Sequence, residues 1–225
     1  MIRVHVLCEG ATEEAFVKAL MAPHFENLGT YLYPSLLGKP GHKGGNVGFE
    51  RLLTDTRNRL LGDSSAYCTT FFDFYALPTD FPGKAAALKQ TTVSGKALAV
   101  CTNLVSALQG KFGEKPIQRF VPFVQMYEFE ALLFSDAKGF AKGIDRPTLA
   151  KDFQRIRDSF SSPEAINDSA VTAPSKRIQS LVSTYQKPLH GPLAALAIGL
   201  PTIRRECALF DSWLKKLETL SPATS

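Results

Sequence analysis

A mostly parallel α/β fold followed by a helical C-terminal region is what this sequence of 225 residues predicts, and three observations carry the prediction. Apolar runs rich in β-branched and aromatic residues recur at IRVHVLC, TYLYPSLL, AYCTTFFDFY and IQRFVPFVQM. Stretches with apolar residues at helical spacing lie between them. After Met126 no strand-like alternation returns, only helical patterns broken by proline and glycine. Strands that alternate with helices in this way pair in parallel, because each crossover carries the chain back across a face of the sheet.

The elements follow in chain order. IRVHVLC reads as a buried strand, and Glu9-Gly10 turns into a helix that Thr12 can cap, with Glu13 and Glu14 in its favourable first turn. Ala15, Phe16, Ala19, Leu20 and Phe25 give that helix an apolar face. TYLYPSLL contains Pro34 and is therefore expected at a sheet edge. GKPGHKGGNVG, residues 38 to 48, is too rich in glycine to be anything but a loop. FERLLTDTRNRLL is helical, AYCTTFFDFY is the strongest strand signal of the chain, and YALPTDFPGK is a loop punctuated by proline. Residues 84 to 112 read as mostly helical, IQRFVPFVQM as a strand ending at Glu128, and everything from EFEALLF onward as helices. The expected division is an α/β core over residues 1–135, a helical region packed on it over 136–220 and a flexible tail over 221–225.

Composition narrows the class. The content of 44% hydrophobic and 21% charged residues is that of a globular protein with a real core. A net charge of +5 tilts the partner class mildly towards polyanions. Cys8, Cys68, Cys101 and Cys207 show no CxxC or CxH spacing, so neither a zinc site nor a disulfide framework is expected. MIRVHVLCEG opens directly on a core element and no apolar run approaches the roughly 18 residues of a membrane helix, so the expectation is a cytoplasmic protein without a membrane partner.

Three acidic clusters fall where predicted strands end: Glu9 with Glu13 and Glu14, Asp73, and Glu128 with Glu130. Ligands of open α/β sheets bind at the carboxyl ends of the strands. Carboxylates gathered there repel one another unless a cation lies between them, which points to a divalent metal and to phosphoryl-transfer chemistry. Glu13 lies one helical turn beyond Glu9, so both can reach one ion, whereas Glu14 is better read as complementing the helix dipole. Glu128 and Glu130 point the same way if the chain stays extended and diverge if a helix has begun, so one of them, not both, is expected at the site. Tyr75, two residues after Asp73, shares its side of an extended chain and could touch a phosphate or simply pack. His42 and Lys43 sit in the glycine-rich loop, whose N–H groups could cradle a phosphate, although no Walker spacing is present. Lys176 and Arg177 open a helix after Ala173-Pro174, a second place where a phosphate could bind. His190 and Arg204-Arg205 carry weaker signals.

The motifs EGATEEAF, GHKGG, DFYALPTDFPG, QMYEFEALLFSD, INDSAVTAPSKRI and CALFDSWLKKL resemble a bacterial domain family of unknown function regarded as Toprim-like, and the resemblance spans nearly the whole chain. It implies a fold similar to the catalytic domain of topoisomerases, DnaG-type primases and overcoming-lysogenization-defect (OLD) nucleases. The implied activity is a Mg²⁺- or Mn²⁺-dependent nuclease of bacterial defence or mobile elements, with nucleic acid as substrate and an ATPase encoded nearby as a possible partner. On that resemblance Glu9 and Asp73 are metal ligands, Glu13 supports them, and Glu128 or Glu130 supplies the later acidic group. The family pattern is Asp-x-Asp, and here its second position is Tyr75, which puts a two-metal site in doubt. The alternative is therefore a catalytically inactive Toprim-like partner or regulatory subunit of an ATPase-containing complex. A third reading, chemistry on a small nucleotide, is weaker.

Overall fold

The computed structural model describes residues 1–38, 47–167 and 172–222. Its sheet has five strands among the described residues: β1 (Ile2–Cys8), β2 (Thr30–Leu36), β3 (Tyr67–Asp73), β4 (Phe120–Val121) and β5 (Val124–Gln125). The order is β2-β1-β3-β4, with β5 also on β3, and every pairing is parallel. Alternate residues of a strand face opposite sides, and the two cores show it. Val4, Val6 and Cys8 of β1 and Tyr67 and Phe71 of β3 enter one apolar cluster, while Leu7, Cys68 and Phe72 enter the other. Strands with side chains buried on both faces need apolar residues at nearly every position, which is why their sequences read as continuous runs.

The second cluster is covered by the helices Phe49–Gly62 and Val93–Phe112. The first is covered by the helix that follows β1 and by the C-terminal helices, so Phe16, Phe71 and Phe123 pack with Phe210 and Trp213 in one core. The Trp213 and Phe123 rings stack at 4.2 Å, and Trp213 Nε1 donates to Thr69 Oγ1 of β3 at 2.9 Å. The helical region thus shares the core of the sheet. No helix of the described residues is long and apolar enough to cross a membrane.

Two local readings are corrected. Gly10, not Thr12, is the N-cap of the first helix (Ala11–Phe16), and Glu13 reaches back to accept the Gly10 N–H at 3.0 Å, while Thr12 is buried in the first turn. The helix continues through a π-turn (Val17–Met21) into Ala22–Glu26, accommodating Pro23, which has no N–H for the carbonyl a turn earlier. The fourth predicted strand is split at Pro122 into β4 and β5, because proline cannot donate to the ladder. Thr70 of β3 replaces the lost rungs: its hydroxyl accepts from Phe123 N at 3.0 Å and donates to Phe123 O at 2.7 Å. Pro34 does lie in an edge strand, β2.

Candidate active site

From β1 the chain moves to β2 on one side and then crosses back to β3 on the other. A reversal of this kind opens a crevice at the carboxyl ends of the two strands. Glu9 and Asp73 stand there. Glu9 follows β1, its own N–H donates to Phe71 O at 3.2 Å, and its Oε2 accepts the Asp73 N–H at 3.0 Å. Asp73 is the last residue of β3. Glu130 lies in the 3-10 turn Phe129–Ser135, whose other residues Phe129, Leu132, Leu133 and Phe134 are core, so its carboxylate is carried inside with them.

One cation joins Asp73 and Glu130 to Glu13 of the first helix. Lys187 Nζ lies 2.7 Å from Asp73 Oδ2, 3.3 Å from Glu13 Oε1 and 3.3 Å from Glu130 Oε2. Among the described residues no three carboxylate, imidazole or thiolate groups close on a point at metal-ligand spacing by themselves, and the ammonium occupies the space between the carboxylates. Lys187 keeps 30% of its side chain exposed, so the cluster opens to solvent on its side.

The electrostatics are those of a charge excess. Burial pushes the Asp73 carboxyl well above the ordinary carboxylate range, Lys187 opposes this, and Glu13, Glu9 and Glu130 add to it. Burial raises Glu130 to about 7 against the pull of Lys187. Glu9 is raised by burial, partly offset by the Asp73 N–H. For Lys187, burial alone disfavours the charge, but Asp73, Glu130 and Glu13 outweigh it and hold the ammonium above ordinary lysine. Glu13 Oε1, Asp73 Oδ1 and both oxygens of Glu130 are buried without a hydrogen-bond partner. Buried polar atoms are rarely left so. An all-oxygen donor set carrying more negative charge than one ammonium neutralises fits a hard divalent cation such as Mg²⁺ or Mn²⁺.

The remaining candidates are placed elsewhere. Glu128 diverges from Glu130: it is extended and accepts Ser175 N at 2.8 Å and Ser175 Oγ at 3.0 Å, occupying the start of the helix Pro174–Leu181 where a phosphate had been expected. Lys176 donates to Gln179 at 3.4 Å. Arg177 donates to Thr172 O at 2.7 Å and lies 5.0 Å from the Phe160 ring centroid. Tyr75 enters the 3-10 turn Phe74–Ala76 and donates to Asn167 Oδ1, so its relation to Asp73 is not that of an extended chain. His42 and Lys43 lie outside the described residues.

Sequence reasoning missed Lys187. Its one signal is position: it opens the helix Lys187–Ile198 with Pro188 directly after it, and a cation at a helix N-terminus opposes the dipole unless something acidic faces it.

Two solved structures align over nearly the full chain. The C-terminal region of the Burkholderia pseudomallei OLD protein is 15% identical, with 96% of each chain covered and a TM-score of 0.47. The C-terminal region of the Xanthomonas campestris pv. campestris OLD protein is 13% identical, with 96% of this chain and 98% of that chain covered and a TM-score of 0.40. No curated protein sequence matches. The model of the family described as "Domain of unknown function (DUF4276)" matches residues 8–218, and the chain belongs to that family.

Proposed function

We propose that this protein is a Mg²⁺- or Mn²⁺-dependent nuclease of Toprim-like type. One observation carries the reading: Glu13, Asp73 and Glu130, from three separate segments, face a single cationic point at the carboxyl ends of parallel strands. The motif resemblance and the net charge of +5 agree with a nucleic-acid substrate acted on in bacterial defence or a mobile element, with an ATPase as possible partner.

Asp73, Glu130 and Glu9 would hold the cation, with Glu13 in support; Glu128, bound to Ser175, is the weaker candidate. The cation would supply Lewis acidity towards the phosphate and towards water. Glu9 fixes the end of β1 to the end of β3 and so sets the spacing of the donor groups. Lys187, once released from the carboxylates, offers its ammonium to a phosphate oxygen. The test is cleavage of DNA and RNA with Mn²⁺, with and without a neighbouring ATPase. Asp73→Asn and Glu9→Gln should abolish it while circular dichroism stays unchanged, and a wild-type protein that cuts neither polymer ends the proposal.

The Lys187 ammonium also favours a second reading. A lysine lodged among three carboxylates supplies the counter-charge a metal would bring, as expected of a non-catalytic partner subunit. Calorimetry separates the two, since this reading requires no affinity for Mg²⁺ or Mn²⁺.

A further inference from the structure

The segment leading into the Lys187 helix carries a second group that the cluster leaves unexplained. Tyr185 is 7% exposed, and its hydroxyl is buried with no hydrogen-bond partner among the described residues. A buried phenol normally finds a partner, and leaving one without is unfavourable. The ring itself is well held: it stacks on His190 at 5.5 Å and 23°, and His190 Nδ1 accepts the Gln186 N–H at 2.8 Å. The unpaired hydroxyl is therefore not the by-product of a loose side chain.

Tyr185 stands two residues before Lys187, whose ammonium lies 2.7 Å from Asp73 and 3.3 Å from Glu13 and from Glu130. Burial raises its phenol, and the charges that act on it are those of Glu130, Lys187, Glu128 and Glu13. Neither Glu130 oxygen accepts a hydrogen bond, although Oε2 lies 3.3 Å from the Lys187 ammonium, and the Tyr185 hydroxyl donates to neither of them. The site has two walls of opposite hydrogen-bonding character. Glu9, Glu13, Asp73 and Glu130 are acceptors, suited to a cation. Tyr185 and Lys187 are donors, two residues apart on one segment. A ligand that satisfies both walls presents a cation to the first and anionic oxygens to the second, which is the charge distribution of a metal-bound phosphodiester.

We propose that the Tyr185 hydroxyl is a substrate-binding group of this site, donating a hydrogen bond to a non-bridging phosphate oxygen. This rests on the nuclease reading above. Tyr185→Phe keeps the ring and its stacking on His190 and removes only an oxygen that no described protein group engages. Supercoiled plasmid DNA, single-stranded DNA and a transcribed RNA, each with Mn²⁺, serve as probes, with thermal unfolding measured in parallel. Expected is a variant that unfolds at the wild-type temperature or above and loses about ten- to hundredfold in kcat/KM, the size of a hydrogen bond to a charged group. Equal rates for variant and wild type overturn the assignment while leaving the nuclease reading intact. A variant that melts below the wild type makes the hydroxyl structural and overturns it too. A wild-type protein that cuts none of the three polymers removes the nuclease reading, and this assignment with it.

Discussion

Two sets of buried carboxylates in this molecule face different partners. Glu164 is 3% exposed, and its two oxygens accept the N–H groups of Leu209 and Phe210 at 2.9 Å each, at the start of the helix Ala208–Glu218. Glu128, only half-buried, is likewise satisfied, by the N–H and the hydroxyl of Ser175. Glu130, in a similar depth of core, has neither oxygen hydrogen-bonded and leans on an ammonium shared with Asp73 and Glu13. Burial alone therefore does not mark a functional acid; the distinction lies in whether the protein has already satisfied the oxygens. A capping carboxylate is satisfied by the fold, whereas Glu13 Oε1, Asp73 Oδ1 and both Glu130 oxygens accept no hydrogen bond from it.

Breaking the clustered set should have the largest effect, on activity. Asp73→Asn removes a charge from the donor set and should cost several kcal/mol of transition-state stabilisation, about 10³-fold in Mn²⁺-dependent cleavage, with little loss of stability. Glu130 sharpens the contrast through pH. Its folded value of about 7 lies above the ordinary 4.5, so the native state binds the proton more tightly than the unfolded chain. The stability this contributes is complete below about pH 4.5 and is lost as pH rises through about 7, a swing on the order of 3 kcal/mol. In metal-free buffer, Glu130→Gln should flatten that part of the pH dependence and melt later than wild type at pH 8; parallel pH curves for the two proteins would contradict it. The smallest effect belongs to the capping set. Glu164→Gln keeps one acceptor and turns an amide towards the second N–H, costing about 2 kcal/mol in denaturant melts, with cleavage per folded molecule unchanged.

What the sequence discloses depends on whether the signal is local. An apolar run that stops at a carboxylate exposes Glu9 and Asp73 as strand-end residues, because the pattern and the position lie in the same few residues. Pro122 interrupts a run that otherwise reads as one strand, and the compensation lies far off in Thr70. The choice between Glu128 and Glu130 turns on one extended residue followed by a 3-10 turn, a detail below the resolution of periodicity. Lys187 and Tyr185 sit in a helical region whose pattern is ordinary, and only tertiary packing brings them to acids placed much earlier in the chain. Nothing in the residues around Glu164 marks it, and its role appears only when the helix it caps is docked.

The dispersal of the cluster along the chain also orders events in time. Glu13, Asp73 and Glu130 all leave the ribosome before Lys187, which forms an ion pair with all three. Until the Lys187 helix arrives, the emerging domain must keep three acids out of water without their counter-ion, or keep them in water and leave the sheet ends open. The second course is the cheaper, given what burying an unpaired charge costs. Closure of the strand ends is then a late step of synthesis, and a nascent chain would complete this cluster only after the C-terminal helices had been made.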